Sequence, residues 1–171
     1  FDRTRQNLAE ISATISFNVP VGFAQLVTAL KADKALRETY FADLDMIFYA
    51  GASLPQDIWM ALEQLALDTC GQLPLITTSW GLTETAPGVM ISHEPAKGAG
   101  LVGVPMPGCT VKLVPDGDGR FDVRVKGDNV TPGYLNNPEK TQEAFDGEGY
   151  FITGDAMQLV DPADADRGLM F

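Results

Sequence analysis

The run LDMIFYAG, Leu44 to Gly51, is almost continuously apolar and is closed by a glycine. Such a run suits a strand covered on both faces, the situation of parallel sheets whose crossovers are helices. The flanking sequence agrees with that reading. Before it, TISFNVP carries the β-branched and aromatic residues of a short strand ended by Pro20, and VGFAQLVTALKADKALRETY sets Phe23, Leu26, Val27 and Leu30 at helical spacing. After it, SLPQDIWMALEQLALDTCG is predicted as a helix, with Pro55 early, Asp57 in the first turn and Gly71 as the stop. Ile58, Leu62 and Leu65, with Trp59 beside them, are expected to face the sheet. LPLITTSWG then reads as a third strand. Alternating strand and helix predicts a parallel α/β sheet, in which ligands collect beyond the carboxyl ends of the strands. Two of those ends, YAGAS and TTSWGLTET, are expected to lie side by side and form a cleft.

From Gly98 the character changes. GAGLVGVPMPGCTVKLVPDGDGRFDVRVKG has short alternating strands and dense Gly and Pro punctuation, as in antiparallel β structure. The expected fold class is therefore α/β: a partial parallel sheet flanked by helices over residues 1–100, then a smaller antiparallel β-rich subdomain over 101–171. Within the latter, NNPEKTQEAF predicts a short helix opened by Asn137 with Pro138 at its first position, and GYFITGDAMQLVD predicts a strand or hairpin before the acidic turn DPADADRG.

With 171 residues the chain can bury roughly 70% of its unfolded surface, so a real core is available. No run approaches the roughly 20 apolar residues needed to span a bilayer, and a cytoplasmic location is expected. A formal charge of −11 opposes nonspecific attraction to nucleic acid or anionic lipid. Glu38 to Ala96 contains no Lys or Arg, while Glu38, Asp43, Asp45, Asp57, Glu63, Asp68, Glu84 and Glu94 all fall there. A polyphosphate meeting this region would need a metal ion or cations from elsewhere. Cys70 and Cys109 have no His or Cys partners at metal spacing and are expected to be buried free thiols.

The segment SWGLTETAP, Ser79 to Pro87, is poor in apolar residues and rich in hydroxyls. Trp80 can offer a π face to an adenine, and Gly81 removes a side chain that would hold the backbone away from a ligand. Thr83 and Thr85 are hydroxyl donors suited to phosphate oxygens, and Glu84 is a hard oxygen ligand suited to Mg²⁺. The alternative is that Trp80 is core and the LTET stretch a solvated turn. Asp155, in ITGD, follows a glycine at the end of a predicted strand, where a carboxylate can accept from both hydroxyls of a ribose or cap a turn.

The blocks MIFYAGASLPQDIW, TTSWGLTETAP, VKGDNVTPGYLNNPEKTQEAF and GYFITGDA resemble, in order and spacing, the adenylate-forming acyl-CoA synthetases. Trp80, where Tyr or Phe is commoner, together with SFNVPVGF and DPADADRGLMF, looks most like the feruloyl-CoA synthetase group. The resemblance implies a two-step reaction using ATP, Mg²⁺ and CoA, in which a carboxylic acid is activated as an acyl-adenylate and passed to the CoA thiol. It implies that Gly51, Ala52 and Ser53 line the nucleotide and acyl sites, that Trp80 stacks on adenine beside Gly81, that Thr83 contacts phosphate, that Glu84 binds Mg²⁺ and that Asp155 holds the ribose.

The family's phosphate loop with its lysine, an arginine expected a few residues after Phe171 and the C-terminal domain with its catalytic lysine are not in this sequence. The chain is expected to be the middle of a longer enzyme, inactive alone and partnered by those parts. Two other readings stand beside this one: an adenylation domain that loads a carrier protein, and a noncatalytic nucleotide- or acyl-binding module. His93, the only histidine, is expected in an exposed loop rather than in catalysis. Phe17, Phe23 and Phe48 are read as core more readily than as the lining of an aromatic acyl pocket. GRFDVRVKG departs from the many relatives that have a Glu at or near Phe121 to Asp122, and that Glu is read as structural.

Overall fold

The computed structural model describes residues 1–96 and 98–171. They divide into two compact units, Phe1–Thr78 with Glu94–Gly100, and Ser79–His93 with Leu101–Phe171. The segment Ser79–His93, which the sequence reading keeps with the first hundred residues, thus groups with the later ones.

The first unit runs α1 (Asp2–Glu10), β1 (Ile15–Asn18), α2 (Pro20–Ala32), α3 (Lys34–Phe41), β2 (Met46–Tyr49), α4 (Gln56–Cys70) and the body of β3 (Leu75–Trp80). The strands β1, β2 and β3 pair in parallel in that order, with Phe17 opposite Phe48 and Phe48 opposite Thr77. α2 and α3 follow β1, and α4 follows β2. Phe23, Leu26, Leu30, Leu36, Ile47, Trp59 and Leu62 form the heart of one apolar cluster. Burying a side chain of this size contributes about 1.5–3 kcal/mol.

Three expectations for this unit are corrected. The single helical run after Pro20 is two helices, because Asp33 takes an extended backbone and its carboxylate accepts the Leu36 N–H at 3.1 Å, capping α3. Phe17 is 67% exposed and is not core. The period of two in β1 turns it away from Ser16, whose Oγ accepts the Tyr40 hydroxyl at 2.9 Å. Cys70, the last residue of α4, is exposed rather than buried; both thiols are free, and Cys109 is half-buried.

The second unit begins with the last two residues of β3. Trp80 pairs with Met90 on β4 (Met90–Ile91), which runs antiparallel to β5 (Leu101–Pro105). Then come β6 (Thr110–Gly117), β7 (Arg120–Lys126), α5 (Pro138–Glu143), β8 (Phe151–Leu159) and β9 (Leu169–Met170). From β5 the antiparallel order is β9, β8, β7, β6. Trp80, Val89, Met90, Val102, Val123, Val125, Phe151, Met157 and Leu169 make its core. The Asn137 carboxamide accepts the Lys140 N–H and caps α5, as its sequence predicts. His93 is exposed. Among the described residues no helix is long and apolar enough to cross a membrane.

One ion-pair cluster ties this unit together. Asp146 Oδ2 lies 2.9 Å from Lys112 Nζ on β6 and 3.1 Å from Arg124 Nη1 on β7. Its Oδ1 accepts the N–H groups of Glu148 and Tyr150, each at 3.0 Å. Arg124 Nε also reaches Asp122 Oδ2 at 2.8 Å. The hydrogen bond from Lys112, followed by those from the Tyr150 N–H and Arg124, holds the Asp146 carboxyl well below the usual carboxylate range. Its ionised form is therefore favoured in the fold. The stability this contributes is full above the ordinary carboxylate pKa and is lost as pH falls toward the depressed value. Thermal melts between pH 7 and pH 3 are expected to show a falling midpoint whose acid limb is shallower in Asp146→Asn, which should also start from a lower midpoint at pH 7. An acid limb identical in the two proteins would remove the cluster from the account.

Candidate functional site

In the first unit β2 and β3 are neighbours, Tyr49 standing opposite Thr78, and the Thr78 hydroxyl donates to the Tyr49 carbonyl at 2.7 Å. Beyond Tyr49 the chain enters the loop that carries Gly51, Ala52 and Ser53, all exposed, with Gly51 at φ 87°. Leu54, buried just after them, anchors this loop in the apolar cluster.

The second unit holds the other candidate residues. After Trp80 the chain turns sharply, and the reason for Gly81 lies in that turn. A Cβ at this position would sit 1.6 Å from the Pro87 carbonyl oxygen and 2.9 Å from Thr85 Oγ1. Gly81 is thus required by the protein's own backbone, whatever ligand approaches it. Thr85 is fully buried and committed to the same turn. Its Oγ1 accepts the Leu82 N–H at 2.8 Å and lies 2.6 Å from the Pro87 carbonyl, so the expectation that it serves phosphate is corrected. From the far side, Asn129 Nδ2 donates to the carbonyls of Thr85 and Gly88 at 2.7 and 2.8 Å. The Thr131 N–H donates to the Glu84 carbonyl at 2.7 Å. What this network leaves outward is Thr83, exposed, and Glu84, half-buried, on a single 3-10 turn.

Glu84 is not solitary. The Tyr134 hydroxyl donates to its Oε1 at 2.9 Å, and this bond raises the Tyr134 phenol above its ordinary value. Lys140 Nζ stands 4.4 Å from the centre of the Tyr134 ring. The Tyr134 N–H in turn donates to Thr141 Oγ1 at 2.9 Å, which links it to α5. The sequence reading passed over Tyr134. The available signal was a lone phenol inside the polar turn TPGYLNN, fifty positions from its partner. Among the described residues no group of three or more His, Cys, Asp or Glu could hold a metal ion. The donor set at Glu84 is one carboxylate, which fits Mg²⁺ only when phosphate oxygens and water complete the shell.

Asp155 lies on β8 where the ladder breaks. Asp122 of β7 pairs with Ala156 and Arg124 with Ile152, so Thr153, Gly154 and Asp155 together face Val123. Gly154 adopts φ 77°, which only glycine accepts readily, and the Thr153 hydroxyl bridges to the Val123 carbonyl. This bulge re-aims Asp155. Its Oδ2 accepts the Trp80 Nε1–H at 2.9 Å. Trp80 itself is 8% exposed, embedded in the apolar core of the unit. The structure therefore joins Trp80 to Asp155 and Glu84 to Tyr134 within one unit.

Residues 1–135 match the family described as AMP-binding enzyme. The chain is 29% identical over 152 residues to a malonate–CoA ligase of Arabidopsis thaliana, covering 85% of this chain and 24% of the relative. It is 33% identical over 136 residues to long chain acyl-CoA synthetase 8 of the same plant, covering 71% of this chain and 18% of the relative. A malonyl-CoA ligase solved as a ternary product complex with methylmalonyl-CoA and AMP superposes with a TM-score of 0.75 at 30% identity, over 99% of this chain and 35% of that one. The fold is that of these enzymes, and the chain spans about a quarter or less of the length of these two curated relatives.

The close approach at Gly81 generates a direct test. Gly81→Ala forces a Cβ against backbone rather than against a movable side-chain tip, and is expected to cost about 3 kcal/mol or more. Thermal or denaturant melts measure this. A midpoint within a degree of wild type would show that the turn is not packed as described.

Proposed function

Since the chain belongs to the AMP-binding enzyme family, we propose that it forms the nucleotide-binding part of an ATP-dependent acyl-CoA ligase. In the reaction a carboxylate oxygen attacks the α-phosphorus of ATP, the bond to the bridging oxygen breaks, and pyrophosphate leaves. The CoA thiol then attacks the acyl carbon, loses its proton and releases AMP. The observation that carries the reading is the Trp80 to Asp155 hydrogen bond, which brings the two segments with nucleotide-binding character onto one spot.

Such chemistry needs charge stabilisation and the orientation of two substrates more than a protein nucleophile. Asp155 accepts from the ribose. Thr83, exposed and next to Glu84 in the chain, donates to a phosphate oxygen, and Glu84, steadied by Tyr134, is the residue that would hold Mg²⁺. The metal supplies neutralisation of phosphate charge when bound. For Gly51, Ala52 and Ser53, on an exposed loop of the first unit, the role we propose is the one the resemblance implies. The loop lysine and the C-terminal lysine implied by the resemblance are not among these 171 residues, so we assign the activity to a polypeptide that also carries them. We expect the 171 residues alone to form no thioester. The acid we propose is aromatic, of the feruloyl type, on the strength of Trp80, SFNVPVGF and DPADADRGLMF. The related ligases named above act on other acids. The location we propose is cytoplasmic.

Three measurements on the full-length polypeptide test the reading. In calorimetry, Glu84→Gln is expected to weaken Mg²⁺ binding in the presence of nucleotide and to change nothing in its absence. Asp155→Ala is expected to weaken AMP by about 1.5–3 kcal/mol for each charge-assisted bond lost and, because it also removes the acceptor of the Trp80 Nε1–H, to lower the melting temperature. Unaltered AMP affinity in that variant would count against the nucleotide site. Pyrophosphate release that depends on malonate and ignores ferulate would overturn the choice of acid while leaving the ligase assignment standing.

A further inference from the structure

We propose that Tyr134 is a positioning residue for Glu84, its hydroxyl fixing the carboxylate so that the other carboxylate oxygen is presented to the metal ion of a bound nucleotide. This rests on the metal reading of Glu84 above and adds a residue to it. Glu84 lies half-buried on a single 3-10 turn, and its side chain has three torsions to settle before an oxygen can meet a cation. Mg²⁺ accepts little departure from octahedral geometry, so a carboxylate that wanders weakens the site. Ordering it beforehand removes that cost from the binding step.

One short stretch of chain holds Glu84 at both ends. The Thr131 N–H donates to the Glu84 carbonyl at 2.7 Å, and the Tyr134 hydroxyl donates to Oε1 at 2.9 Å. The stretch is itself braced. The Gly133 N–H donates to Thr131 Oγ1 at 3.3 Å, and the Tyr134 N–H donates to Thr141 Oγ1 on α5 at 2.9 Å. Thr141 Oγ1 donates in turn to the Asn137 carbonyl at 2.8 Å, where that helix starts. Lys140 Nζ stands 4.4 Å from the ring centre, a cation–π contact that holds the ring from its face.

The chemistry of the donor matters as much as its placement. Among the described residues Glu84 forms no ion pair, and Tyr134 is the one side chain that hydrogen-bonds its carboxylate. A lysine or arginine in that place would orient the carboxylate and cancel the charge a cation needs. A neutral phenol orients it and leaves the charge in place. Oε1 carries the bond, while Oε2 accepts none from the described residues and is the oxygen left for a ligand. A phenylalanine fills the same space and cannot donate.

The test is calorimetry of ATP binding to the full-length polypeptide, with and without Mg²⁺ and with neither acid nor CoA present. The ratio of the two affinities is the enhancement due to the metal. Tyr134→Phe is expected to lower that ratio about three- to tenfold, the order of one net hydrogen bond. Adding it to Glu84→Gln should lower the ratio no further, since both act on one contact. A clip that merely joins α5 to the turn would weaken ATP by the same factor in both conditions, and that result overturns the inference. So does a ratio that rises, which would show the phenol competing with the metal for the carboxylate.

Glu84→Gln alone separates the inference from the reading beneath it. Should it leave the enhancement intact, the metal role of Glu84 fails and the inference falls with it. Should it abolish the enhancement while Tyr134→Phe does not, only the positioning role fails. A second measurement does not depend on the Phe variant folding. With ¹³C-tyrosine labelling, one phenol-carbon signal should move in Glu84→Ala without ligand. If no tyrosine signal responds, the hydrogen bond does not exist in solution and the inference is overturned.

Discussion

A single donor and a single acceptor, Trp80 Nε1 and Asp155 Oδ2 at 2.9 Å, join two segments 75 positions apart in the chain. What makes that bond possible is a set of local constraints that have nothing to do with a ligand. The ring is locked because Trp80 ends β3 and pairs with Met90 in a buried ladder. The chain leaves it at once because Gly81 admits the Pro87 carbonyl. The carboxylate arrives because a glycine at φ 77° bulges β8 opposite Val123. Each constraint is a backbone fact, so the site is built on rigid elements rather than on a mobile loop. Glu84 is treated in the same manner, with its carbonyl bonded to Thr131 and its carboxylate to Tyr134.

Charge sets the second condition. Four cations of the β-rich unit are already engaged. Lys112 and Arg124 serve Asp146, Glu148 and Asp122, while Lys126 donates to the Glu148 carbonyl and Lys140 sits over the Tyr134 ring. They stabilise the β-rich unit and leave polyphosphate charge to be met by a metal ion and by cations other than these. A site of two carboxylates in a chain of net charge −11 suits a ligand that brings its own divalent cation.

The sequence disclosed most where the physics is local. The apolar run Met46–Tyr49 reads as a strand and Asn137–Pro138 as a helix opening, and both are found so, although only the Ile47 and Tyr49 face of that strand is buried. It misled where a short polar residue competes with periodicity. Asp33 looks like an ordinary surface position in a helical run, yet its carboxylate caps a new helix and breaks the old one. Phe17 alternates as a core residue would, and only the pairing of Ser16 with Tyr40 reveals which face is inside. For the site, Trp80, Glu84 and Asp155 carried chemistry legible in their types. Gly81 was found for a reason that the structure replaces, and Thr85 was offered to a ligand although the turn consumes it. The Tyr134 to Glu84 and Trp80 to Asp155 bonds were illegible, since a contact across fifty or more positions leaves no trace in periodicity or spacing.

The central claim is that a prearranged Asp155 carboxylate receives a ribose. It is tested most directly by a crystal structure of the full-length polypeptide with AMP. The expected result has a ribose hydroxyl within hydrogen-bond distance of Asp155 Oδ1, with Trp80 Nε1 still about 2.9 Å from Oδ2 and the Asp155 side chain unmoved. An AMP whose ribose lies away from Asp155, or an Asp155 that must break from Trp80 to reach it, would contradict the account.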